Sequence, residues 1–485
     1  MDLLGGKLVN NLKFNYIYSC IYQILIIILP IITAPYVSRV LGADLLGEFT
    51  YVNTISYYFV LFIMLGISNY GNRCIASSYD SEDRNKYFIE IYSFQLIWGV
   101  FISLLYIIFI ILQKSKINIY LYIIQFLYVI SAIFDVSWYF FGTEQFKLSV
   151  SRNIVIKLLA AIFVFVFVKD KDDLVIYTII MTGFTLLGQV ALWFIAMKEE
   201  QFKLVKISIL KKHIKPIIIL FIPVLAVSIY AYLSKIILGN MSSMAELTYY
   251  EYAYKIVSAP LSIITALGTV MLPRISNLYS KKQSKEAIEL IYKSFYFVTL
   301  ISVPMSAGLA AISAKFSLIF YGVEYLKCGY VMSILALSIP FISWGNVIRT
   351  QYLIPLKKDS VFIKAVVIGA IFNIIFNCIA IPYLGSIGAA VGTVLTEVLV
   401  CIYQIVIIRK EIPFTKLLIK QWIILIPTVL MFLCILIIQN YISKTILDII
   451  FISGVGVIIY AIFTLLINKD LRYELISKTK VRNFI

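Results

Sequence analysis

Residues 14–38 of the chain read FNYIYSCIYQILIIILPIITAPYVS and contain no Asp, Glu, Lys or Arg. A membrane-spanning helix needs about 20 apolar residues, so this stretch is long enough to cross a bilayer. Similar stretches recur along the chain, which is 61% hydrophobic and 14% charged. Because soluble domains carry about 25% charged residues, the composition predicts an all-α integral membrane protein.

The chain of 485 residues contains fourteen predicted spans, at residues 14–38, 47–72, 87–112, 117–141, 148–168, 174–197, 215–239, 247–272, 288–313, 327–354, 361–383, 386–408, 419–439 and 445–467. This leaves about 35 residues for each span with its loop, which is too few for a large soluble domain. The sequence therefore argues against a receptor with an ectodomain, a transporter with its own nucleotide-binding domain and an enzyme with an appended catalytic module. It also has no G-x-x-x-x-G-K-[ST] motif, so P-loop ATP binding is not expected.

The distribution of the net charge of +17 predicts the orientation in the membrane. With the N-terminus inside, most of the 42 Lys and Arg residues fall at inner helix ends and inner loops, nine fall at outer ones, and Lys255 remains inside a span. This asymmetry predicts that both termini lie in the cytoplasm and that the number of spans is even. It assigns the charge to topology and to contact with anionic lipid, and argues against nucleic acid as a partner.

A lysine-rich segment divides the first twelve spans into two groups of six. We expect a six-helix N-terminal lobe, a basic cytoplasmic linker, a six-helix C-terminal lobe, and an added helix pair with a cytoplasmic tail, at residues 1–197, 198–214, 215–410 and 411–485. A short repeat supports a duplication, because LGADLLGEFTY at residues 41–51 resembles LGNMSSMAELTY at residues 238–249. Transporters built from such repeats carry their path between the lobes. The linker stretch LVKISILKKHIK, residues 204–215, is predicted to form an amphipathic surface helix.

Residues that build metal centres and disulfides are sparse. The six cysteines lie far apart without a C-x-x-C pair, and the single histidine, His213, lies in the lysine-rich linker. We therefore interpret the cysteines as packing residues and predict no metal site and no cofactor. A D-x-D motif at Asp170–Asp172, a pattern that some sugar transferases use to hold a metal, falls on the predicted outer side and is interpreted as a solvated loop.

Lys255 and Glu251 form the main candidate site, because an ionisable residue inside a membrane is costly and by default marks a transport path. Lys255 lies eight residues inside the start of the eighth span. Glu251 precedes it by four residues, which places both side chains on one helix face in the favourable order. Three interpretations stay open: a cationic site that lines a central cavity, an intrahelical pair that only neutralises a buried cation, and a span whose boundary is misplaced by one turn.

Two further carboxylates are candidates for ion coupling. Asp135 precedes Trp138 and Tyr139 at helical spacing, which favours either a protonatable or sugar-stacking face or an interfacial aromatic belt with a solvated carboxylate. Glu397 lies in the twelfth span with Cys401 on its face. It is interpreted either as a residue that binds a coupling ion or as a hydrogen-bonded structural group.

Four arginines near span ends are candidates for contact with phosphate: Arg39, Arg73, Arg274 and Arg349. Each one alone fits a membrane anchor whose charged head reaches water. Together they could present guanidinium groups, which bind phosphate with two parallel hydrogen bonds. In the eleventh span, Gly369, Asn373 and Asn377 form a polar stripe that must face protein or water.

Five segments together resemble a known family: YVSRVLGADLLGEFTYVNTI at 36–55, GISNYGNRCIA at 66–76, DVSWYFFGTEQFK at 135–147, YEYAYKIVSAPLSIITALGTVMLPRIS at 250–276 and NIIFNCIAIPYLGSIGAAVGTVLTE at 373–397. In order and spacing they resemble the bacterial polysaccharide repeat-unit flippases. These are the Wzx-type members of the multidrug/oligosaccharidyl-lipid/polysaccharide exporter superfamily. The resemblance covers residues 10–410 and extends loosely through the last two spans.

That resemblance implies a V-shaped, two-lobed helical transporter in the bacterial cytoplasmic membrane. It would move an undecaprenyl-pyrophosphate-linked oligosaccharide from the inner to the outer leaflet by alternating access. A pyrophosphate needs cations along its route through a low-dielectric core, so the predicted substrate-binding residues are Lys255, Arg39, Arg73, Arg274 and Arg349. The predicted coupling residues, for a proton or sodium ion, are Asp135, Glu251 and Glu397. The implied partners are the lipid-linked substrate, membrane lipid and a polysaccharide polymerase or assembly protein.

Several other functions stay open. A drug/cation antiporter or a peptidoglycan-precursor flippase of the same superfamily would share the fold. A membrane-embedded polysaccharide polymerase or glycosyltransferase would need a substantial outer loop, whereas the predicted outer connections are at most about 15 residues long. A passive scaffold of a capsule-assembly complex is disfavoured by Lys255 and Glu251 inside the membrane.

Overall fold

The computed structural model of the chain is built from α-helices. It describes the backbone of residues 2–113, 117–200, 203, 205–409, 411–412, 421–442 and 445–467, and most side chains of these ranges from residue 29 onward. The helices of unit 1, defined below, are α1 (Asp2–Met64), α2 (Ile67–Ala76), α3 (Ser81–Leu112), α4 (Ile119–Ser131), α5 (Ser137–Gly142), α6 (Phe146–Phe167) and α7 (Leu174–Glu199). They are followed by α8 (Ile207–Met241), α9 (Met244–Ser280), α10 (Ser284–Tyr321), α11 (Leu326–Ala336), α12 (Ile339–Ile348), α13 (Asp359–Leu384), α14 (Ser386–Ile408), α15 (Leu425–Ile438) and α16 (Ile446–Ile467).

The helices agree with the apolar pattern of the sequence. In the described residues, eleven helical stretches are long and apolar enough to cross a membrane, and the shorter α4 and α15 are also apolar. Every predicted span has a helical counterpart, although the first lies within α1, the second continues from α1 into α2, and the fourth and tenth are divided into shorter helices. The all-α membrane architecture is therefore confirmed, whereas the number of fourteen crossings stays a prediction.

Helix α1 is broken at Gly42, between the first two predicted spans. Gly42 has φ 78° and ψ 172°, a backbone conformation that glycine adopts at low cost because it has no Cβ. The residues on either side are helical. Gly42 therefore lets one long helical segment contain the first span and most of the second, with a sharp change of direction.

The chain divides into two compact units, residues 1–232 (unit 1) and 233–485 (unit 2). In unit 1, α4 packs on α7, α6 packs on α1 and α7, and α2 packs on α5. In unit 2, α13 packs on α14, α10 on α11, and α15 and α16 pack on each other and on α10. Helix α8 contains the boundary between the units.

The lobe bounds expected from the sequence stay predictions. Residues 201, 202 and 204 of the expected linker, residue 410 of the expected second lobe, and residues 413–420, 443, 444 and 468–485 of the expected added part lie outside the described residues. From Ile207 onward, the stretch predicted as an amphipathic surface helix forms the beginning of α8.

A π-helix, Arg349–Leu353, directly follows α12 in unit 2. Its four residues from Thr350 to Leu353 are buried. Single π turns within helices occur frequently at functional sites, and this one contains a predicted site residue, Arg349.

Candidate functional site

The Lys235–Glu251–Lys255 cluster lies within unit 2, where α8 and α9 bring three ionisable side chains together. Glu251 and Lys255 are one turn apart on α9, and Glu251 Oε1 lies 3.3 Å from Lys255 Nζ. Lys235 comes from α8, and its Nζ lies 2.6 Å from Glu251 Oε2. The structure thus contains the pair expected from the sequence and adds a second cation to it.

Burial divides this cluster into an inner ion pair and an outer cation. The side chains of Lys235 and Glu251 are 8% and 11% exposed, whereas that of Lys255 is 52% exposed. A buried charge needs a partner of opposite sign, and Lys235 and Glu251 provide this for each other. Lys255 then leaves one excess positive charge on the exposed side, where its Nζ lies 5.2 Å from the ring centroid of Tyr252. The cluster is therefore suited to attract an anion.

A buried network of amides and hydroxyls adjoins Lys235 in the sequence of α8. Ser234 Oγ donates to Asn373 Oδ1 at 2.9 Å, and Asn377 Nδ2 donates to both Ser234 Oγ and Asn373 Oδ1 at 2.9 Å. Asn373 Nδ2 donates to Thr396 Oγ1 at 3.2 Å. A Cβ at Gly392 would lie 2.4 Å from Asn377 Oδ1, so this approach of α14 requires glycine. The polar stripe of α13 therefore faces protein and fixes α8, α13 and α14 beside the cluster.

The four predicted arginines occupy separate places. Arg39 on α1 and Arg73 on α2 are exposed and belong to unit 1. Arg274 is exposed and follows Lys255 by 19 residues on α9, which is about 28 Å along an ideal helix. Arg349 is partly buried, with its Cζ 4.9 Å from the ring centroid of Phe362. In the described part of unit 2, no ion pair joins Arg274 or Arg349 to the Lys235–Glu251–Lys255 cluster.

Asp135 lies two residues before the start of α5 in unit 1. Its Oδ1 accepts a hydrogen bond from the backbone N–H of Ser137 at 3.0 Å, which is the geometry of a local turn. The neighbouring Trp138 and Tyr139 are buried, and Trp138 Nε1 donates to Gln95 Oε1 at 3.0 Å. The aromatic residues beside Asp135 therefore belong to the core of unit 1.

Glu397 lies on α14 of unit 2 and is partly buried. No described side chain forms a hydrogen bond or ion pair with its carboxylate, while Cys401, one turn later, is close enough to interact electrostatically with it. A carboxylate inside an apolar helix without such a partner is costly when charged. Glu397 therefore differs from Glu251, whose charge two lysines neutralise.

Sequence reasoning missed two lysines. Hydropathy assigned Lys235 to the outer end of the seventh span, whereas its side chain is buried and paired with Glu251. Lys157 lies in the middle of α6 and lines a small cavity of unit 1, of about 170 Å³, together with Thr33 and Tyr177. Both lysines interrupt apolar helices, and that interruption was the signal that could have revealed them.

Glu246 was also missed, although it joins three helices of unit 2. It accepts hydrogen bonds from Lys327 Nζ and from the backbone N–H of Ser386 at 2.8 Å. Ser386 is the first residue of α14, so the carboxylate compensates the positive end of that helix. The spacing of Ser243 and Glu246, which is the first half of a capping box, was the signal in the sequence.

A large apolar cavity of unit 2 lies where α15 and α16 pack against α10. Its volume is about 450 Å³, and its walls are almost entirely apolar, with Pro304, Gly308, Met431 and Val457 among them. Residues of α9, α10, α15 and α16 line it. The cavity therefore offers a surface for a hydrocarbon chain.

The fold and these sites define a multi-span helical membrane protein of the transporter type, with buried ion pairs, an exposed membrane lysine and an apolar cavity. In the described ranges, no group of three His, Cys, Asp or Glu side chains could hold a metal ion. The chain belongs to the polysaccharide biosynthesis protein family, whose model matches residues 12–279.

Individual relatives agree with this assignment. A protein named as an O-antigen transporter in Shigella dysenteriae is 23% identical over 381 residues, covering 78% of this chain and 94% of the relative. One with the same name in Escherichia coli strain K12 is 25% identical over 409 residues, covering 83% of this chain and 97% of the relative. These relatives confirm the resemblance to the polysaccharide branch of the superfamily.

A solved structure supports the fold. The inward closed conformation of Lipid II flippase MurJ matches with a TM-score of 0.73 at 17% identity, covering 95% of this chain and 99% of that one. At this level of identity the likeness shows the fold alone. It confirms the fold class expected from the sequence.

Proposed function

We propose that this protein is a transporter that moves lipid-linked oligosaccharide units across a cell membrane by alternating access. The observation that carries the proposal is the Lys235–Glu251–Lys255 cluster, an excess positive charge held inside a helical membrane fold. Membership of the polysaccharide biosynthesis family and the likeness to O-antigen transporters support the substrate class. The finer proposal is that the lipid is undecaprenyl pyrophosphate.

The charged head group is the part of such a substrate that crosses the membrane least readily. A pyrophosphate loses its hydration in a low-dielectric environment, so it needs a cation along its route. Lys255 supplies that cation at the exposed edge of the cluster, while Glu251 is engaged with Lys235. We therefore assign head-group attraction to Lys255. Arg39, Arg73, Arg274 and Arg349 are proposed as further contacts on the way to and from it.

The polyprenyl tail needs no aqueous path. Apolar surface gains free energy on leaving water, and a long hydrocarbon chain is most stable in lipid or against apolar side chains. The 450 Å³ cavity beside α10, α15 and α16 offers such side chains. We propose that part of the tail packs there while the head group moves.

Transport against a gradient needs coupling to an ion. Asp135, Glu251 and Glu397 are the candidates from the sequence, and the structure favours Glu397 among them. Asp135 caps a turn, and Glu251 is neutralised by two lysines, whereas no described side chain pairs with the Glu397 carboxylate. We propose that Glu397 binds a proton or sodium ion during the cycle.

Orientation, cellular location and lobe bounds complete the proposal. The positive-inside pattern supports two cytoplasmic termini, and the family supports a bacterial cytoplasmic membrane. We propose a lobe at 1–197, a linker at 198–214, a second lobe at 215–410 and an added part at 411–485. A polysaccharide polymerase or assembly protein is the proposed partner that receives the product.

The test follows lipid-linked oligosaccharide in cells that lack this protein, with a membrane-impermeant probe that labels only outer-leaflet glycan. Intact repeat units that accumulate on the inner leaflet, and reach the outer leaflet again on complementation, are the expected result. Normal translocation with missing or altered glycan linkages would instead identify an enzyme or assembly factor. Normal polysaccharide together with drug sensitivity would identify a drug/cation antiporter of the same superfamily.

A further inference from the structure

A second cluster of ionisable side chains, the Glu90–His213–Tyr70 relay, lies in unit 1. His213 on α8 contacts two residues, one through each ring nitrogen. Its Nε2 lies 3.0 Å from Glu90 Oε2, and its Nδ1 lies 2.8 Å from the Tyr70 hydroxyl. Lys212 adds a contact from Nζ to Glu90 Oε2 at 2.8 Å. The relay therefore joins the beginning of α8 to α2 and α3.

The relay is buried at its centre and reaches water at its edge. The side chains of His213 and Glu90 are 1% and 5% exposed, whereas that of Lys212 is 51% exposed. The beginning of α8 is polar, and its apolar run starts only after Lys215. In the predicted orientation this end of unit 1 faces the cytoplasm. A proton from the cytoplasm thus has a short route to the ring.

The charged and titratable groups around the ring come from three helices. Tyr70, Arg73 and Cys74 lie on α2, Tyr87 and Glu90 lie on α3, and Lys212 lies on α8. Burial and the cation of Lys212 disfavour a charged imidazole, and the Glu90 carboxylate favours it. Burial is the largest of these influences and lowers the pKa of His213 from its usual value, so the ring becomes charged as the pH falls below neutral.

We propose that His213 is a proton-binding site through which cytoplasmic pH controls how firmly the beginning of α8 is held to α2 and α3. The inference rests on the proposed function only for its effect on transport. Proton binding itself is a property of unit 1 and can be measured without any substrate.

The hydrogen bonds of the relay accommodate both states of the ring. In the neutral ring, Nε2–H donates to Glu90 and Nδ1 accepts from the Tyr70 hydroxyl. On protonation, the added proton comes from cytoplasmic water and binds to Nδ1, which then donates to the Tyr70 oxygen. The Tyr70 hydroxyl turns its hydrogen toward Cys74, which lies within hydrogen-bonding reach. No heavy-atom bond changes, and the bond from Nε2 to Glu90 becomes charge-assisted and stronger.

The chain contains a single histidine, so its titration can be followed without ambiguity. We would label histidine with ¹³C and ¹⁵N in the full-length protein, purified with a histidine-free tag in lipid nanodiscs, and record the ring signals between pH 5 and 8. The expected result is a titration within this range whose midpoint falls by about one pH unit in Glu90→Gln, because the neutral amide no longer favours the charged ring. In Tyr70→Phe the midpoint shifts by less.

Glu289→Gln is the matched control, because Glu289 forms an exposed ion pair with Lys293 on α10. It should leave the midpoint unchanged. A ring that does not titrate between pH 5 and 8, or that has the same midpoint in wild type and Glu90→Gln, would overturn the proposal.

Transport provides the second readout. The expected result is a flipping rate in wild-type vesicles that changes between internal pH 6 and 8, and a rate in His213→Asn that does not. If both proteins show the same pH profile, the proposal that His213 controls transport is wrong, whereas the proposed function is unaffected. Absence of flipping by wild type at every pH would count against the proposed function, while the ring titration would still be valid.

Discussion

Two clusters in this molecule are built alike and behave differently. In unit 2, Glu251 contacts one buried lysine and one that is 52% exposed. In unit 1, Glu90 contacts the buried His213 and a lysine that is 51% exposed. Each cluster therefore consists of a buried carboxylate, a buried base and a cation at the edge.

The difference is the identity of the buried base. A lysine ordinarily titrates near pH 10.4 and a histidine near pH 6.5. Lys235 and Glu251 form an ion pair in which Nζ lies 2.6 Å from Oε2. The imidazole of His213 carries a charge only when both of its ring nitrogens are protonated. Similar geometry thus gives a constant electrostatic site in one unit and a pH-dependent contact in the other.

The largest effect is expected from Glu251→Gln, which breaks the ion pair with Lys235. It leaves Lys235 buried without its counter-charge, which costs about 3–5 kcal/mol. We expect a strongly lowered unfolding temperature in detergent and reduced abundance in the membrane. The double variant Lys235→Met/Glu251→Gln should recover most of the loss, because no uncompensated charge remains. A single variant as stable as Glu289→Gln would show that Lys235 is solvated.

Glu90→Gln should lower the free energy of unfolding by less, about 1–3 kcal/mol, because His213 can respond by remaining neutral. The sign of the pH dependence follows from the protonation of His213, because the ring is charged more often at lower pH. The charged ring gains most from Glu90, so the loss should be larger at pH 6 than at pH 8. Thermal unfolding of wild type and variant at both pH values measures it. An equal loss of stability at pH 6 and pH 8 would show that the cluster around Glu90 is no more dependent on pH than the cluster around Glu251.

Lys255→Ala tests function without breaking the buried pair. We expect flipping to fall about tenfold, equivalent to about 1.4 kcal/mol, while membrane abundance stays at the wild-type level because the side chain is largely exposed. Lys255→Arg should retain part of the activity, since the charge is kept. Lys293→Ala removes a lysine from a Glu–Lys pair of the same spacing on α10 and serves as the control. Wild-type flipping by Lys255→Ala at equal abundance would remove Lys255 from the mechanism.

The smallest effect is expected from Lys212→Ala, which removes the edge cation of unit 1. Exposed ion pairs contribute about 0–1 kcal/mol, and salt screens them. The unfolding temperature should therefore change little, and less still at high ionic strength. A loss as large as that of Glu90→Gln would mean that Lys212, and not His213, is the main partner of Glu90.

The fold could be predicted from the sequence because hydropathy acts locally. Runs such as residues 14–38 identify helices without knowledge of their neighbours, and the i,i+4 spacing of Glu251 and Lys255 predicts their contact. Lys235 was missed because its partner lies 16 residues away on another helix, where no periodicity connects them. The contact of Glu90 with His213 spans 123 positions. Such pairs depend on helix packing, which apolar patterns in a membrane protein hardly encode, since lipid-facing and buried positions are both apolar.

The π-helix Arg349–Leu353 has a consequence for how the length of this chain can vary. A π turn accommodates one residue more than an α turn, so deleting one residue there would restore a regular helix. Because the π turn already accommodates the extra residue, the residues after it would keep about the direction that they now have relative to α12. The contacts most disturbed would be those made from within the turn, such as that of Tyr352, whose hydroxyl donates to Glu411 beyond the end of α14. A one-residue gap at this position is therefore a smaller perturbation than one in a regular helix, where every later side chain would turn by about 100°.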